Sequence, residues 1–490
     1  MGQAERVLSL LRLDWRKPLS VAAILVLGVA LGYLTSSQGT LIPALILGLI
    51  VFVWMVLRIN FAIAVLLASS VLLCYHRVLL AIVVAAGAAV VMRLGVRKRF
   101  AVYSPQLLFL GLYLLMVLVN MLAYHTPLPF QIKVLARVLI TYVVLISALE
   151  SGRDMAWAVA AMVAAGVALA STGILEYALQ RPIFVKSAFM TVTLPPGTPY
   201  EAHTITASSL LPQRNMYAFV LMFLLVLGFG VVLNSRFRKT RGLWAGGLVV
   251  ILFAIVITMS RTAFLALAVA IGVMLAGRTT WKTKRLVIAI LLISSPLLPW
   301  GTIWDRVSTI YGAVTGHTAD YAWMLRMKFW NVAWTLFKEH PITGIGIEQG
   351  TALTARFMSE LGEKFSLSVA VHNVYLAVAV ETGLIGLTLY GTLIYLTFRD
   401  LVWCQRHFRG VGDLDMYHMA WALNLSFIAV LIAQSAQPAL YDLPFWFSVV
   451  LAAGMRHVAR LQGPALAPAP APAAAEAGVR RDVMTPRDGR

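Results

Sequence analysis

The chain has 490 residues, 60% of them hydrophobic and only 12% charged, with a mean hydropathy of +0.84. Soluble domains are closer to half apolar and a quarter charged, so the composition excludes a purely water-soluble protein and implies an all-α polytopic membrane protein. The formal charge of +20 would suggest nucleic-acid binding on a soluble chain, but the basic residues sit in short clusters between apolar runs, as membrane orientation demands, so the partner is the lipid bilayer and no nucleic acid is expected.

In chain order, Met1 to Pro18 is basic and amphipathic and reads as a cytoplasmic N-terminus with an interfacial helix. The apolar run after it lacks a small-residue cleavage site and is taken as a retained span. Candidate spans follow at 19–36, 41–58, 60–75, 78–93, 104–124, 130–150, 155–179, 213–234, 243–259, 262–277 and 286–300, then at 373–396, 416–436 and 443–460. The first four are short, and His76 and Arg77 interrupt the 60–93 stretch, so about 12 to 14 spans are expected, in an even number. Basic clusters at Arg93–Arg99, Arg236–Arg241, Arg278–Arg285 and Arg399–Arg409 then share the cytoplasmic side with both termini.

Two long connections are left on the opposite face, 180–212 and 301–371. The first carries Leu194-Pro195-Pro196-Gly197-Thr198-Pro199, a rigid lid candidate, and the second is expected to be helical. Trp323, Arg326, Trp330, Trp334 and Phe337 recur there at helical spacing, which suits an interfacial helix with its aromatic face down. The organisation is therefore a transmembrane bundle over 19–300, the large loop 301–371, C-terminal helices over 372–460, and an Ala-Pro-rich disordered tail over 461–490. Cys74 and Cys404 are far apart and suggest neither a disulfide framework nor a metal site.

Polar residues at the apolar boundary are costly and point to function or to pairing. Arg261 follows Ser260 in a tight turn between two apolar arms, Arg214 opens the span after the first loop, Lys133 and Arg137 lie one turn apart, and Arg326 sits on the loop helix. These cations converge on the face where the positive-inside rule would not put them. Each could snorkel or pair with Glu176, Glu201 or Asp320; an Arg pair could equally hold a diphosphate without metal. His372, where the large loop enters a span, is a candidate general base or a helix cap. Glu381 lies nine positions further on, about 13 Å deeper, and is expected to meet a cation or polar backbone. Gly383 and Gly386 read as small-residue helix packing, Gly344-Ile345-Gly346 as no dinucleotide fingerprint, and Asp413-Leu414-Asp415 as a helix cap rather than a metal pair.

Taken in order, Met259-Ser260-Arg261-Thr262, then Arg326 through Trp330 and Ala333 to His340-Pro341-Ile342-Thr343-Gly344-Ile345-Gly346, then His372-Asn373-Val374-Tyr375 and Glu381-Thr382-Gly383-Leu384-Ile385-Gly386 resemble the O-antigen ligase and polymerase superfamily of bacterial envelope glycosyltransferases. The resemblance implies a GT-C-like fold and transfer of a glycan on the periplasmic face of the Gram-negative inner membrane, with no metal and no other cofactor. Its donor would be O-antigen on undecaprenyl diphosphate and its acceptor, in the ligase branch, a lipid A-core sugar. The implied catalytic set is His372 as base with Arg261 and Arg326 on the donor diphosphate, supported by Asn373, Tyr375 and Glu381; the charge reading adds Arg214 and Arg137 to the diphosphate site. An O-antigen polymerase or a protein O-oligosaccharyltransferase would use the same donor. A lipid or anion transporter would instead spread its charges through the membrane depth.

Overall fold

The computed structural model describes residues 59–72, 104–124, 130–179, 211, 214–276, 281–297, 300–301, 321–347, 371–436 and 443–463. Among these the regular structure is helical: α1 (Ile59–Leu72), α2 (Pro105–Ala123), α3 (Phe130–Ala148), α4 (Gly152–Leu179), α5 (Arg214–Leu233), α6 (Arg241–Ile257), α7 (Arg261–Ala276), α8 (Trp281–Ser294), α9 (Tyr321–Glu339), α10 (Val374–Gly410), α11 (Leu414–Gln434) and α12 (Leu443–Leu461). Six apolar stretches are long enough to cross a membrane: Pro105–Ala123, Gly152–Leu179, Arg214–Leu233, Ser235–Ile257, Val374–Gly410 and Leu414–Gln434. The chain is an all-α polytopic membrane protein, as its composition requires. The spans expected at 19–36, 41–58 and 78–93, the loop 180–212 apart from Leu211, segments 302–320 and 348–370 of the large loop, and the tail beyond Gly463 lie outside the described residues, as do Glu201, Asp320, Cys74 and the side chain of Lys133.

Hydropathy locates the described helices within a few residues, with two instructive departures. Helix α8 starts at Trp281 and gives way to a 3-10 turn at Ser295, just ahead of Pro296, whose missing N–H cannot extend the α ladder. Helix α10 outruns the expected end at 396 and continues to Gly410, because Leu401, Cys404 and Phe408 carry a buried stripe at helical spacing beyond the apolar run.

The core is built around α5, whose residues from Met216 to Val232 are all buried. Its register with its neighbours fixes which ends meet. Gly166 and Gly173 of α4 face Leu224 and Tyr217, and Gly228 faces Leu248 of α6. Ser426 of α11 donates to the Phe223 carbonyl at 3.3 Å, while the Ser235 N–H donates to Asp415 at 2.7 Å. Helices α4, α6 and α11 therefore all run antiparallel to α5. The start of α5, the end of α4 with buried Glu176, the α6–α7 turn and the end of α11 lie at one end of the bundle. At the other end Asp413 caps α11, accepting the Met416 N–H at 3.0 Å, as the capping reading of that aspartate pair expects.

Candidate active site

The site is organised by a break in α10. Gly383 stands at φ 64 and ψ −162, a conformation open to glycine alone, and interrupts the α10 ladder. The freed backbone groups are taken up by the segment that follows α9. Val380 and Glu381 carbonyls accept from the Ile345 and Gly346 N–H groups at 2.9 and 3.2 Å, while the Leu384 and Ile385 N–H groups donate to the Pro341 and Ile342 carbonyls at 2.8 and 3.3 Å. Four inter-segment bonds thus join loop and helix backbone to backbone. No side chain fits between them: a Cβ on Gly344 would lie 2.6 Å from the Glu381 carbonyl oxygen, and one on Gly383 would run into the Ile342 carbonyl. The far side of the loop is held from α2, where Tyr124 donates to the Gly344 carbonyl at 2.9 Å and Asn120 accepts the Ile347 N–H at 2.9 Å. Gly383 is therefore a helix breaker, not the plain small-residue packing contact its spacing suggests.

This clamp seats α9 on α10. Phe329, Ala333 and Leu336 form the buried face, and Ala333 and Leu336 join Ile345, Val371, Ala377 and Val380 in a small apolar cluster apart from the main core. The aromatic stripe expected to lie flat in the interface is split accordingly. Trp330 and Phe337 pack against the cluster, while Trp334 is 51% exposed and contacts Phe337 with ring centroids 5.4 Å apart. Trp330 also donates its indole N–H to the Val371 carbonyl at 3.1 Å, fixing the chain one residue before His372.

His372 is half-buried, and its backbone is left-handed at φ 52. Met259, two residues before Arg261, has φ 54, and these two are the non-glycine residues with positive φ among the described ones. Such strain, about 1–3 kcal/mol per residue, persists only where the surroundings enforce it, and it collects at functional sites. Here it falls on both motifs singled out for chemistry. The cap function belongs to Asn373, whose side chain accepts the Leu376 N–H at 3.1 Å, so His372 is released from capping. Its Nδ1 is buried and makes no hydrogen bond among the described residues. Burial, and after it the positive charge of Arg326, pushes the imidazole pKa down to about 4, so at neutral pH it is uncharged with a lone pair available.

Tyr375, one turn into α10, donates to the Leu431 carbonyl at 2.7 Å and so ties the His372 mouth to the last turns of α11. By the register of the bundle, Arg261 at the start of α7 and Arg214 at the start of α5 lie at this same end. Arg261 is half-buried and Arg214 exposed. Arg137 sits half-buried on α3, seven residues or about 10 Å in from the first residue of that helix. Glu381 lies at the helix break, its backbone carbonyl engaged by the loop. The structure thus joins Arg326 to His372 electrostatically and sets Arg261 and Arg214 at their end of the bundle. Asn373, Tyr375 and Glu381 serve the backbone geometry beneath.

Two positioning residues, Asn120 and Tyr124, escaped the sequence reading, as did the pairing of Gly344 with Gly383. Asn120 had a usable signal, an amide near the end of an otherwise apolar run. Chemically, the arrangement offers a neutral imidazole beside a guanidinium, able to take a proton from an alcohol next to a bound anion.

Residues 246–391 match the family model described as O-antigen ligase. No curated protein matches the chain significantly. The matched stretch takes in most of α6, the Met259–Arg261 turn, α9, the clamp loop and the mouth of α10, so the part of the chain that carries the candidate site is the part similar to the O-antigen ligase family.

Proposed function

We propose that the protein transfers a glycan en bloc from undecaprenyl diphosphate to a sugar hydroxyl of the lipid A core, at the periplasmic face of the inner membrane. The observation that carries this reading is the uncharged, half-buried imidazole of His372 beside Arg326, its buried Nδ1 making no hydrogen bond among the described residues. In the proposed step the acceptor oxygen attacks the anomeric carbon, its proton passes to His372, and the bond to the diphosphate oxygen breaks. The electron pair leaves with undecaprenyl diphosphate, whose growing negative charge is held by Arg261 and Arg326. Cations fixed in a water-poor site stabilise such charge far better than in water, often the largest single contribution to catalysis. General-base help adds roughly 10²–10⁴-fold for a weak sugar nucleophile. Arg214 and Arg137 extend the basic surface towards the donor, and attack from the face opposite the leaving group inverts the anomeric centre.

Donor binding also tunes the base. A diphosphate opposes the field of Arg326 on His372, so the imidazole gains basicity when the donor is in place. The test is transfer by the purified protein from undecaprenyl-diphosphate glycan to lipid A core, with a chelator present and the product linkage read by NMR. An inverted linkage is expected; retention rules out direct attack. In cells, loss of the protein should leave lipid-linked polymer beside bare lipid A core. Single repeats on the core would assign it to polymerisation instead.

A further inference from the structure

The end of the bundle opposite His372 holds a second polar site that glycan transfer does not use. Asp400 of α10 is fully buried and is held by Arg399 at 3.1 Å, by Arg456 of α12 and by Gln106 of α2. Gln106 accepts from Ser104 Oγ at 3.0 Å, and Ser104 is hydrogen-bonded to Tyr142 of α3. The pairing keeps a costly buried carboxylate satisfied and knits four helices together. Above this floor opens a shallow recess lined by Ser104, Gln106, Arg456, His457, Arg460 and two apolar side chains. None of the lining residues is acidic. Three arginines against one carboxylate leave two positive charges. Arg456 Nε is buried with no hydrogen-bond partner among the described residues, so the guanidinium fork is only partly used by Asp400.

The recess lies where α10 outruns its apolar stretch. Beyond the break at Gly383 the helix advances 17 residues to Asp400, about 26 Å, close to the roughly 30 Å of a bilayer's hydrocarbon core, which sets the recess towards a headgroup layer. Trp403, 37% exposed, marks the same level, as aromatic residues do at membrane surfaces, and the Arg456 guanidinium lies 5.2 Å from its ring centroid.

We infer that this recess binds a phosphate group, presented by the headgroup of an anionic phospholipid and gripped by Arg456 and Arg460. The full-length protein, delipidated in detergent, is titrated with short-chain phosphatidylglycerol by native mass spectrometry, with inorganic phosphate as competitor in a parallel arm. One saturable lipid per chain is expected, bound about tenfold more weakly by the Arg456→Gln/Arg460→Gln double variant and unaffected by millimolar phosphate. Because Arg456→Gln strips a partner from Asp400, the exposed Arg460→Gln is measured alone and should weaken binding several-fold in a folded protein. Competition by inorganic phosphate would overturn the lipid source and reassign the recess to a soluble phosphate ester. Equal binding by all variants, absence of saturable binding, or a loss caused instead by Arg326→Ala at the other end would overturn the site.

Discussion

Replacing Gly383 by alanine tests whether the loop–helix clamp sets the catalytic geometry. At φ 64 and ψ −162 an alanine costs about 1–3 kcal/mol in backbone strain alone. The added Cβ would also stand 2.7 Å from Gly344 N and closer still to the Ile342 carbonyl, and these are backbone atoms with no rotamer to escape into. The cheapest relief is to release the loop. That forfeits four hydrogen bonds at about 0.5–1.5 kcal/mol each, or roughly 2–6 kcal/mol locally. The loss falls at the junction of α9, α10 and α2, because the hydrogen bonds of the clamp involve no residue of α4, α5, α6 or α11. The variant should therefore insert and purify normally while α9, and Arg326 with it, shifts against His372. A displacement near 1 Å is enough to lower kcat/KM about 10²-fold. Steady-state transfer in nanodiscs measures this, with Gly391→Ala as control, since a Cβ there meets nothing within 4 Å. Gly391→Ala should keep wild-type activity and gain up to about 1 kcal/mol of helix stability. Wild-type kcat/KM in Gly383→Ala would refute the idea that the clamp positions the site.

His372→Ala should abolish transfer while leaving donor affinity within a few-fold, read by donor titration and single-turnover transfer; appreciable turnover by the variant would remove His372 from the base role. Arg261→Ala and Arg326→Ala should each weaken the donor complex and slow the chemical step together, seen as a higher KM with a lower kcat. For pH, a histidine pKa lowered to about 4 means that the base form persists well below the usual 6.5, so kcat/KM should hold down to about pH 4–5 before falling. Donor charge raises that pKa in the complex, so the acid limb of kcat should lie at higher pH than that of kcat/KM; coincident limbs would argue against the coupling. Asn373→Ala removes the α10 cap at a cost of about 1 kcal/mol and should lower activity more than thermal stability, which paired transfer and unfolding assays would resolve.

How much of this was legible beforehand follows the range of the forces involved. Helices were legible because hydropathy is written residue by residue: α5, the most apolar and most buried, was located to within one residue at each end from apolar length alone. The candidate site residues stand out for the opposite reason, since Arg261, Arg326 and His372 are conspicuous beside so much apolar chain. The clamp was hidden because its information lies in backbone groups. Gly383 looks like a packing glycine and Gly344 like part of a failed dinucleotide fingerprint until they are brought together, 39 positions apart, and only then does each explain the other's positive φ.

The same clamp explains why the motif has the extent it does. The proposed base at the mouth of α10 and the proposed diphosphate-binding guanidinium on α9 lie on different helices, and surface packing alone would let those helices slide by a rotamer's width. Joining the segment after α9 to a broken α10 by four backbone bonds removes that freedom, and the Asn120 and Tyr124 contacts anchor the joint to α2. Helix α10 gives up regular hydrogen bonding at one point, and the bonds it loses internally are remade with the segment whose position decides where Arg326 stands relative to His372.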